Sequence, residues 1–179
     1  ELGGKITPWE DIQQMKEFLN QRGIAFHCDG ARIFEATTGY NNKSPSELAE
    51  PFDSIYISFY KGLGGLSGAM LMGSKAFCDE ARIWLRRFGG NLDRLLTYAV
   101  SGWSGYQKYW KKPQQQQKTT ALGQEDDSSR MMSFEEKKEK LVRIAKSLSS
   151  DDNFSQVVTL EPPVPQVNMV HCYLRPDLE

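Results

Sequence analysis

Several features that would place this chain in a specialised class of protein are scarce or missing. Positive charge is not in excess, because 22 Lys and Arg residues are balanced by 23 Asp and Glu residues. Binding to nucleic acid or to an anionic membrane surface is therefore disfavoured. No apolar run is long enough to span a bilayer. Only two histidines and three cysteines occur, without the spacing of zinc ligands. We expect no nucleic acid, membrane or metal ion as a partner.

The cysteines also bear on location. Cys28, Cys78 and Cys172 are widely separated, and none belongs to a C-x-x-C pair. Reduced, unpaired thiols are typical of intracellular proteins, and the N-terminus lacks the pattern of a signal peptide. We therefore expect a cytoplasmic protein. The sequence opens with Glu-Leu-Gly-Gly rather than with methionine, so we also expect an internal piece of a longer protein.

The composition is that of a globular domain, and the order of its segments predicts an α/β fold. Of the 179 residues, 39% are hydrophobic and 25% are charged, values that suit a chain with one main core. Capping boxes at residues 7–10 and 44–47 predict two helices, and the apolar residues 24–26 predict a buried strand. Residues 53–60 and 66–72 predict two further strands. We expect a mostly parallel central sheet covered by helices.

The helix predicted after Ser74 is amphipathic. One stripe of this helix is apolar and consists of Phe77, Ala81, Trp84, Leu85 and Phe88. The arginines that share the helix, Arg82, Arg86 and Arg87, are interpreted as a solvated face or a subunit contact rather than as catalytic groups.

Composition divides the chain into three parts. Residues 1–107 carry the α/β pattern and form part of a large domain. Residues 108–132 are polar, contain four consecutive glutamines and lack apolar periodicity, which predicts a low-complexity, disordered surface insertion. Residues 133–179 contain a Lys- and Glu-rich helix, a proline-rich link and two short apolar runs. This last part predicts a linker helix followed by two strands, which are the start of a small α+β C-terminal domain.

Charged side chains follow two of the predicted strands where those strands end. Asp29 and Arg32 follow the first strand, and Lys61 follows the second and precedes Gly62. The two groups are separated by about one crossover unit of about 30 residues. If the strands are parallel neighbours, both groups lie at the sheet edge where α/β proteins bind ligands.

One cofactor uses this combination of side chains. Pyridoxal 5'-phosphate (PLP) forms a Schiff base with a lysine, and a carboxylate keeps its ring nitrogen protonated. We predict Lys61 as that lysine and Asp29 as that carboxylate. Gly62 is predicted to let the backbone approach the cofactor closely.

Structural explanations exist for the same residues. Asp29 and Arg32 form a plain ion pair near a helix start in one of them. His27 either orients Asp29 or is a hydrogen-bonded core histidine. A nucleotide loop is disfavoured, because Lys61 precedes the glycines and a phosphate loop has its lysine after them. The match between the two strand ends favours the cofactor site.

Two strings carry a resemblance to a known family. His-Cys-Asp-Gly-Ala-Arg at residues 27–32 and Ser-Phe-Tyr-Lys-Gly-Leu-Gly-Gly at residues 58–65 resemble the central motifs of the threonine aldolase and β-eliminating lyase family. These are PLP enzymes of the aspartate aminotransferase fold. Residues 81–90 are also similar, and the resemblance extends over about residues 1–105. It implies that Lys61 holds PLP, Asp29 pairs with its ring nitrogen and Arg32 binds the substrate carboxylate.

The resemblance also carries departures. The family often has serine directly before the lysine, whereas this chain has Tyr60 there and Ser58 further upstream. Ser58 is the candidate phosphate contact, or else it faces the other side of the sheet. Asn91 to Arg94 replace a glycine-rich continuation, which leaves the substrate preference open. The family's phosphate cup and ring-stacking residues precede the segment present here.

The activity implied by the resemblance is cleavage of a β-hydroxy-α-amino acid, typically threonine, to glycine and an aldehyde. The same cofactor also serves β-elimination from a substituted cysteine or an aromatic amino acid, which is the alternative reaction. A catalytically inactive fragment that dimerises with a full-length paralogue is the alternative from a different class. A homodimer or homotetramer with sites at the subunit interface is the expected assembly.

Overall fold

The computed structural model describes residues 3–111, Pro113 and residues 131–175. These residues form helices and strands joined by turns. The helices are α1 (Trp9–Asn20), α2 (Ile33–Ala36), α3 (Pro45–Ala49), α4 (Lys75–Arg87), α5 (Leu96–Tyr106), α6 (Phe134–Ser149) and α7 (Asp152–Val157). The strands are β1 (His27–Asp29), β2 (Ser54–Ser58), β3 (Ala69–Gly73), β4 (Val158–Glu161) and β5 (His171–Leu174). A 3-10 turn follows α2 at Thr37–Gly39, and a π-helix follows α5 at Gln107–Lys111.

The first sheet has the strand order β1-β2-β3. Strand β1 runs parallel to β2, with Asp29 opposite Tyr56, whereas β3 runs antiparallel to β2, with Ala69 opposite Ser58. The α/β class is confirmed, but the described sheet is mixed rather than mostly parallel. The physical reason is the connection, because residues 59–68 are too few for the crossover of about a dozen residues that a parallel pair needs.

Strand β1 begins three residues later than the apolar run at 24–26 predicted. The Asp53 carboxylate accepts a hydrogen bond of 2.7 Å from the Phe26 amide, and the Asp53 amide donates one of 2.8 Å to the Phe26 carbonyl. These bonds close the strand pair just ahead of the ladder, which starts with His27 opposite Ser54. The partner strand therefore decides where β1 starts, and residues 24 and 25 remain exposed.

Of the two predicted capping boxes, one forms in the structure and the other does not. The capping box predicted at residues 7–10 does not form, because α1 begins at Trp9 and Pro8 occupies the cap position without a side-chain acceptor. The capping box at Ser44 and Glu47 is confirmed: each side chain accepts a hydrogen bond from the other residue's backbone amide, at 3.2 and 2.7 Å. That pair fixes the start of α3.

The hydrophobic core lies directly behind the loops that follow β1 and β2. Its buried members come from α2, α3, β2, the loop after β2 and α6, and they are Ile33, Phe34, Leu48, Ile55, Leu63 and Phe134. Trp110 of the π-helix packs against Phe34 with ring centroids 5.1 Å apart. The loops that follow β1 and β2 carry the strings at residues 27–32 and 58–65 and are called the motif loops. They pack directly against the core.

The C-terminal part forms a second, two-stranded sheet. Strands β4 and β5 pair antiparallel over four residue pairs, which confirms the two strands expected there. Strand β4 starts at Val158 because the preceding residues belong to α7. The predicted insertion at 108–132 falls mostly outside the described residues; residues 108–111 belong to the π-helix. The division into a large and a small domain remains a prediction.

Among the residues that the structure describes, none of the helices combines the length and the apolar character needed to cross a bilayer.

Candidate active site

The parallel pairing of β1 with β2 brings the two motifs to one edge of the sheet. Asp29 ends β1 opposite Tyr56, and β2 continues for two residues before it turns into the loop that carries Lys61. After Asp29 the chain turns at once, because the Asp29 Oδ1 atom accepts a hydrogen bond of 3.1 Å from the Ala31 amide. The carboxylate and the lysine loop therefore follow neighbouring parallel strand ends, as the sequence predicted.

The loop after β2 is a tight turn around Lys61. The Lys61 carbonyl accepts a hydrogen bond of 2.9 Å from Gly64, and the Phe59 carbonyl accepts one of 2.7 Å from Gly65. Gly64 has a φ of +65°, a conformation that side chains rarely adopt. Leu63 is 1% exposed and anchors the turn in the core. The backbone at Lys61 is thus fixed from within the protein.

Ser58 lies beneath the loops rather than at their surface. It is 1% exposed, and its hydroxyl donates a hydrogen bond of 2.7 Å to the Ala31 carbonyl. The bond ties the end of β2 to the loop after β1. The hydroxyl of Ser58 thus has a structural partner in Ala31. Its assignment to the cofactor phosphate, and the alternative that it faces the other side of the sheet, both stay predictions.

His27 joins the same two strands. Its Nδ1 atom lies 2.8 Å from Ser54 Oγ, and Ser54 is its opposite residue across the parallel pair. His27 itself is exposed, so it is not a core histidine. Its contact stabilises the β1–β2 pairing one step before Asp29.

Glu35 is a candidate residue that the sequence analysis missed. It is 4% exposed in the first turn of α2, and its carboxylate lies against the backbone of Gly62, whose amide acts as a hydrogen-bond donor that lowers the pKa of the carboxyl group. A Cβ added at Gly62 would overlap that carboxylate. Gly62 is therefore required by the approach of Glu35, in addition to any role at a cofactor. The signal in the sequence was a lone carboxylate within the otherwise apolar residues that follow Arg32.

The charge of Glu35 is balanced by its neighbours. Burial raises the pKa of the Glu35 carboxyl above its ordinary value, while its own backbone amide, the Arg32 charge, the Gly62 amide and the Lys137 charge oppose the rise. The charges of Arg32 and Lys137 therefore act on the same carboxylate that contacts Gly62.

Two tyrosines lie beside Asp29 and Lys61. The hydroxyls of Tyr56 and Tyr60 are 3.3 Å apart. The hydrogen bond to Tyr60 is the main cause that raises the pKa of Tyr56 to about 12, followed by burial, the Tyr60 charge and the Asp29 charge. Tyr60, directly before Lys61, is 48% exposed. At neutral pH the Tyr56 hydroxyl is protonated and can donate a hydrogen bond.

A cavity of about 440 Å³ borders the Asp29 loop. Asp29, Arg32 and Glu35 contribute to its lining together with apolar residues of α1 and the N-terminal segment, whereas Lys61 is not part of the lining that the described residues form. Cys28 also lines it, and burial followed by the Asp29 charge raises the pKa of that thiol to about 11. The volume lies in the range of small-molecule sites.

The side chains present fit PLP at its two reactive ends. A carboxylate on a strand end suits a protonated ring nitrogen, and a primary amine on the neighbouring loop suits the aldehyde. The guanidinium of Arg32 suits a substrate carboxylate. In the residues that the structure describes, no cluster of three His, Cys, Asp or Glu side chains could hold a metal ion.

Comparisons with known proteins show which sequences the chain is similar to. A 35% identity over 99 residues links the chain to the low specificity L-threonine aldolase of Escherichia coli O157:H7, covering 55% of this chain and 29% of that protein. The low-specificity L-threonine aldolase of Candida albicans is 34% identical over 93 residues, or 51% of this chain and 24% of that protein. The chain therefore spans less than a third of the length of these curated relatives.

A solved structure is similar to this chain in fold. A Listeria monocytogenes protein, named as a candidate L-allo-threonine aldolase, superposes with a TM-score of 0.74 at 33% identity and covers 96% of this chain and 41% of its own. The family model described as beta-eliminating lyase matches residues 1–148. Since that match includes both motif loops and most of the sequence, the chain belongs to the β-eliminating lyase family.

Proposed function

We propose that this chain contributes the cofactor-binding part of a PLP-dependent lyase. The reaction is cleavage of the Cα–Cβ bond of a β-hydroxy-α-amino acid, giving glycine and an aldehyde. The observation that carries the proposal is the parallel pairing of β1 with β2, which brings the loops of Asp29 and Lys61 to one sheet edge. The names of the aldolase relatives support the substrate class.

Each charged residue has a separate task in this proposal. Lys61 holds the cofactor covalently through Nζ. Asp29 stabilises a proton on the ring nitrogen, because an opposite charge nearby favours the protonated form. Arg32 binds the substrate carboxylate through charge-assisted hydrogen bonds. PLP, when bound, draws electrons from the bonds at the substrate's Cα.

Tyr56 contributes a hydrogen-bond donor rather than a base. A pKa of about 12 keeps the Tyr56 hydroxyl protonated at neutral pH. A general base works best with a pKa near the working pH. The base that takes the proton of the substrate's β-hydroxyl is therefore a group other than Tyr56.

A second reaction has its own support, because the matching family model is described as beta-eliminating lyase. β-Elimination from a substituted cysteine would release the leaving group from Cβ and yield pyruvate and ammonia, whereas aldol cleavage yields glycine. Product analysis with a β-hydroxy amino acid and with a substituted cysteine separates the two reactions.

The assembly and the domain division belong to the same proposal. We infer a homodimer or a homotetramer, in which residues 1–107 form part of the large domain and residues 133–179 begin the small one. Light scattering measures the oligomer size, and limited proteolysis around residues 108–132 measures the domain division.

The test of the cofactor site is covalent trapping. The chain is incubated with PLP, reduced with borohydride and digested, and the modified peptide is identified by mass spectrometry. We expect a pyridoxyl adduct on Lys61 that Lys61→Ala removes. Lys75→Ala is the matched control, because the Lys75 side chain is 91% exposed at the start of α4, and it should leave the Lys61 adduct unchanged.

Other results would count against the proposal. Modification spread over surface lysines, with Lys61 no more reactive than Lys75, would contradict a cofactor site at the β2 loop. A folded chain without any adduct would favour the inactive paralogue.

A further inference from the structure

A buried carboxylate connects the two motif loops. Glu35 is 4% exposed and follows the Asp29–Arg32 loop in the chain, and its carboxylate lies against the backbone of Gly62 in the other loop. The contact is so close that a Cβ at Gly62 would overlap the carboxylate. Glu35 is therefore a direct bridge from α2 to the residue that follows Lys61.

Packing alone does not account for a glutamate at this position. Removing a carboxyl group from water is costly unless the group is hydrogen-bonded or paired with charge. The groups of opposite charge that act on Glu35 are Arg32 from the loop before α2 and Lys137 from α6. A leucine of similar size would avoid the cost of burial but would leave the Gly62 amide without this acceptor.

We propose that Glu35 is a positioning residue for Lys61: its carboxyl group holds the Lys61–Gly62 turn against the Asp29–Arg32 loop and so sets the position of the lysine relative to the carboxylate at the end of β1. The assignment of a role to Lys61 rests on the proposed function. The contact between Glu35 and Gly62 does not depend on it.

The mechanism of positioning is local. Gly62 is bonded directly to Lys61, so a shift of the Gly62 amide moves the lysine backbone with it. The other side of the turn is fixed by the hydrogen bonds from Gly64 and Gly65 and by buried Leu63. Glu35 supplies the fixed point on the side of α2. A misplacement of about 1 Å at a reacting group can lower a rate about 100-fold.

The first test measures the contact without any cofactor. The pH titration of the Gly62 amide is followed in ¹H–¹⁵N correlation spectra of the chain, and that of the Glu35 carboxyl carbon in ¹³C spectra. The two titrations should have the same midpoint. Glu35→Gln keeps an acceptor oxygen but cannot titrate, so the Gly62 shift should become independent of pH. Glu35→Leu should move the Gly62 signal toward that of an amide without this acceptor. A Gly62 amide that titrates equally in Glu35→Gln would overturn the proposal.

The second test measures the consequence for Lys61. The rate of borohydride-trapped adduct formation on Lys61 should fall about tenfold in Glu35→Leu and should recover toward the original rate in Glu35→Gln, which restores the acceptor. Glu47→Gln is the matched control, since Glu47 accepts a backbone hydrogen bond in the α3 capping box away from Lys61. Equal adduct rates in Glu35→Leu and the unchanged chain, both folded, would also overturn the proposal.

A third variant keeps the test decisive if Glu35→Leu fails to fold. Gly62→Ala should slow adduct formation in the otherwise unchanged chain, because its Cβ meets the carboxylate. In a chain that already carries Glu35→Ala, the same Gly62→Ala change should cause little further slowing. Independent effects of the two changes would contradict the bridge. If the unchanged chain forms no adduct on Lys61 while the Gly62 titration is present, the proposed function fails and the contact stands.

Discussion

Two regions of the molecule reverse the usual distribution of polar and apolar side chains. Around the motif loops, polar residues are buried: Glu35, Thr37, Thr38 and Ser58 are all at most 4% exposed. On α4 and α5 and in the loop between them, large apolar residues are exposed, among them Phe88 at 81%, Leu96 at 75% and Trp103 at 62%. Hydrophobicity by itself therefore does not determine burial in this chain.

Hydrogen-bond partners explain the buried polar side. The Thr37 hydroxyl donates 2.7 Å to the Phe34 carbonyl, the Thr38 hydroxyl donates 2.9 Å to the Glu35 carbonyl, and Ser58 donates to Ala31. Each buried group thus has its partner. On the exposed side, Trp84 stacks on Phe88 with ring centroids 5.6 Å apart. An apolar surface of this kind is typical of a contact with further protein.

The largest expected effect tests the comparison with one residue type. Phe34→Ala removes a core side chain that is 9% exposed and should lower the free energy of unfolding by about 3–5 kcal/mol. Phe88→Ala, at 81% exposure, should change it by less than about 0.5 kcal/mol. Urea denaturation measures both. Similar losses in the two variants would mean that the α4 surface is buried in solution by a contact between molecules.

The next effect tests the buried hydroxyl. Ser58→Ala removes the donor to the Ala31 carbonyl and leaves that carbonyl without this partner, which should cost about 1–3 kcal/mol of unfolding free energy. Ser67→Ala is the control, because Ser67 is exposed in the loop before β3. If Ser58→Ala kept full stability but weakened PLP binding, the result would support the prediction that Ser58 contacts the cofactor phosphate.

These pairs also show what the sequence could predict. The strand ends with Asp29 and Lys61, the cap at Ser44 and the helix after Ser74 depend on neighbours in the chain, and local chemistry reveals them. The start of β1 depends on Asp53 from another segment, and the antiparallel β3 depends on the length of its connection. The apolar stripe of α4 has helical spacing, but spacing does not reveal whether another surface covers it.

The contacts of Gly62 and Ser58 could not be predicted from the sequence for the same reason. Gly62 was interpreted as space for a cofactor, and Ser58 as a phosphate contact. In the structure the space at Gly62 is filled by Glu35, and the Ser58 hydroxyl is bonded to Ala31. These partners, Glu35 and Ala31, lie in α2 and in the loop before it, about 27 residues away along the chain. Contacts at that separation require the fold to be known.

A smaller effect is expected at the cap of α3. Ser44→Ala removes the acceptor for the Glu47 amide and should lower the unfolding free energy by about 1 kcal/mol. Ser46→Ala, at an exposed position in the same helix, should leave the stability within about 0.5 kcal/mol. Equal effects of the two changes would mean that helix propensity, and not the cap, sets the stability of α3.

The smallest effect compares a buried with an exposed carboxylate through pH. Burial raises the pKa of Glu35, so its contribution to stability is complete below the ordinary glutamate pKa and is lost as the pH rises through the folded value. The side-chain and backbone hydrogen bonds from Ser44 lower the pKa of Glu47, so its contribution is present above the ordinary value and is lost as the pH falls through the folded value. Above the ordinary glutamate pKa of about 4.3, the stability of the unchanged chain relative to Glu35→Gln should fall as the pH rises. Below that pKa, its stability relative to Glu47→Gln should fall as the pH falls. Urea midpoints measured on both sides of this value report both differences. If the stability of the unchanged chain relative to Glu35→Gln rises with pH instead, the folded pKa of Glu35 is lowered rather than raised. The charges of Arg32 and Lys137 would then outweigh the effect of burial on this carboxyl group.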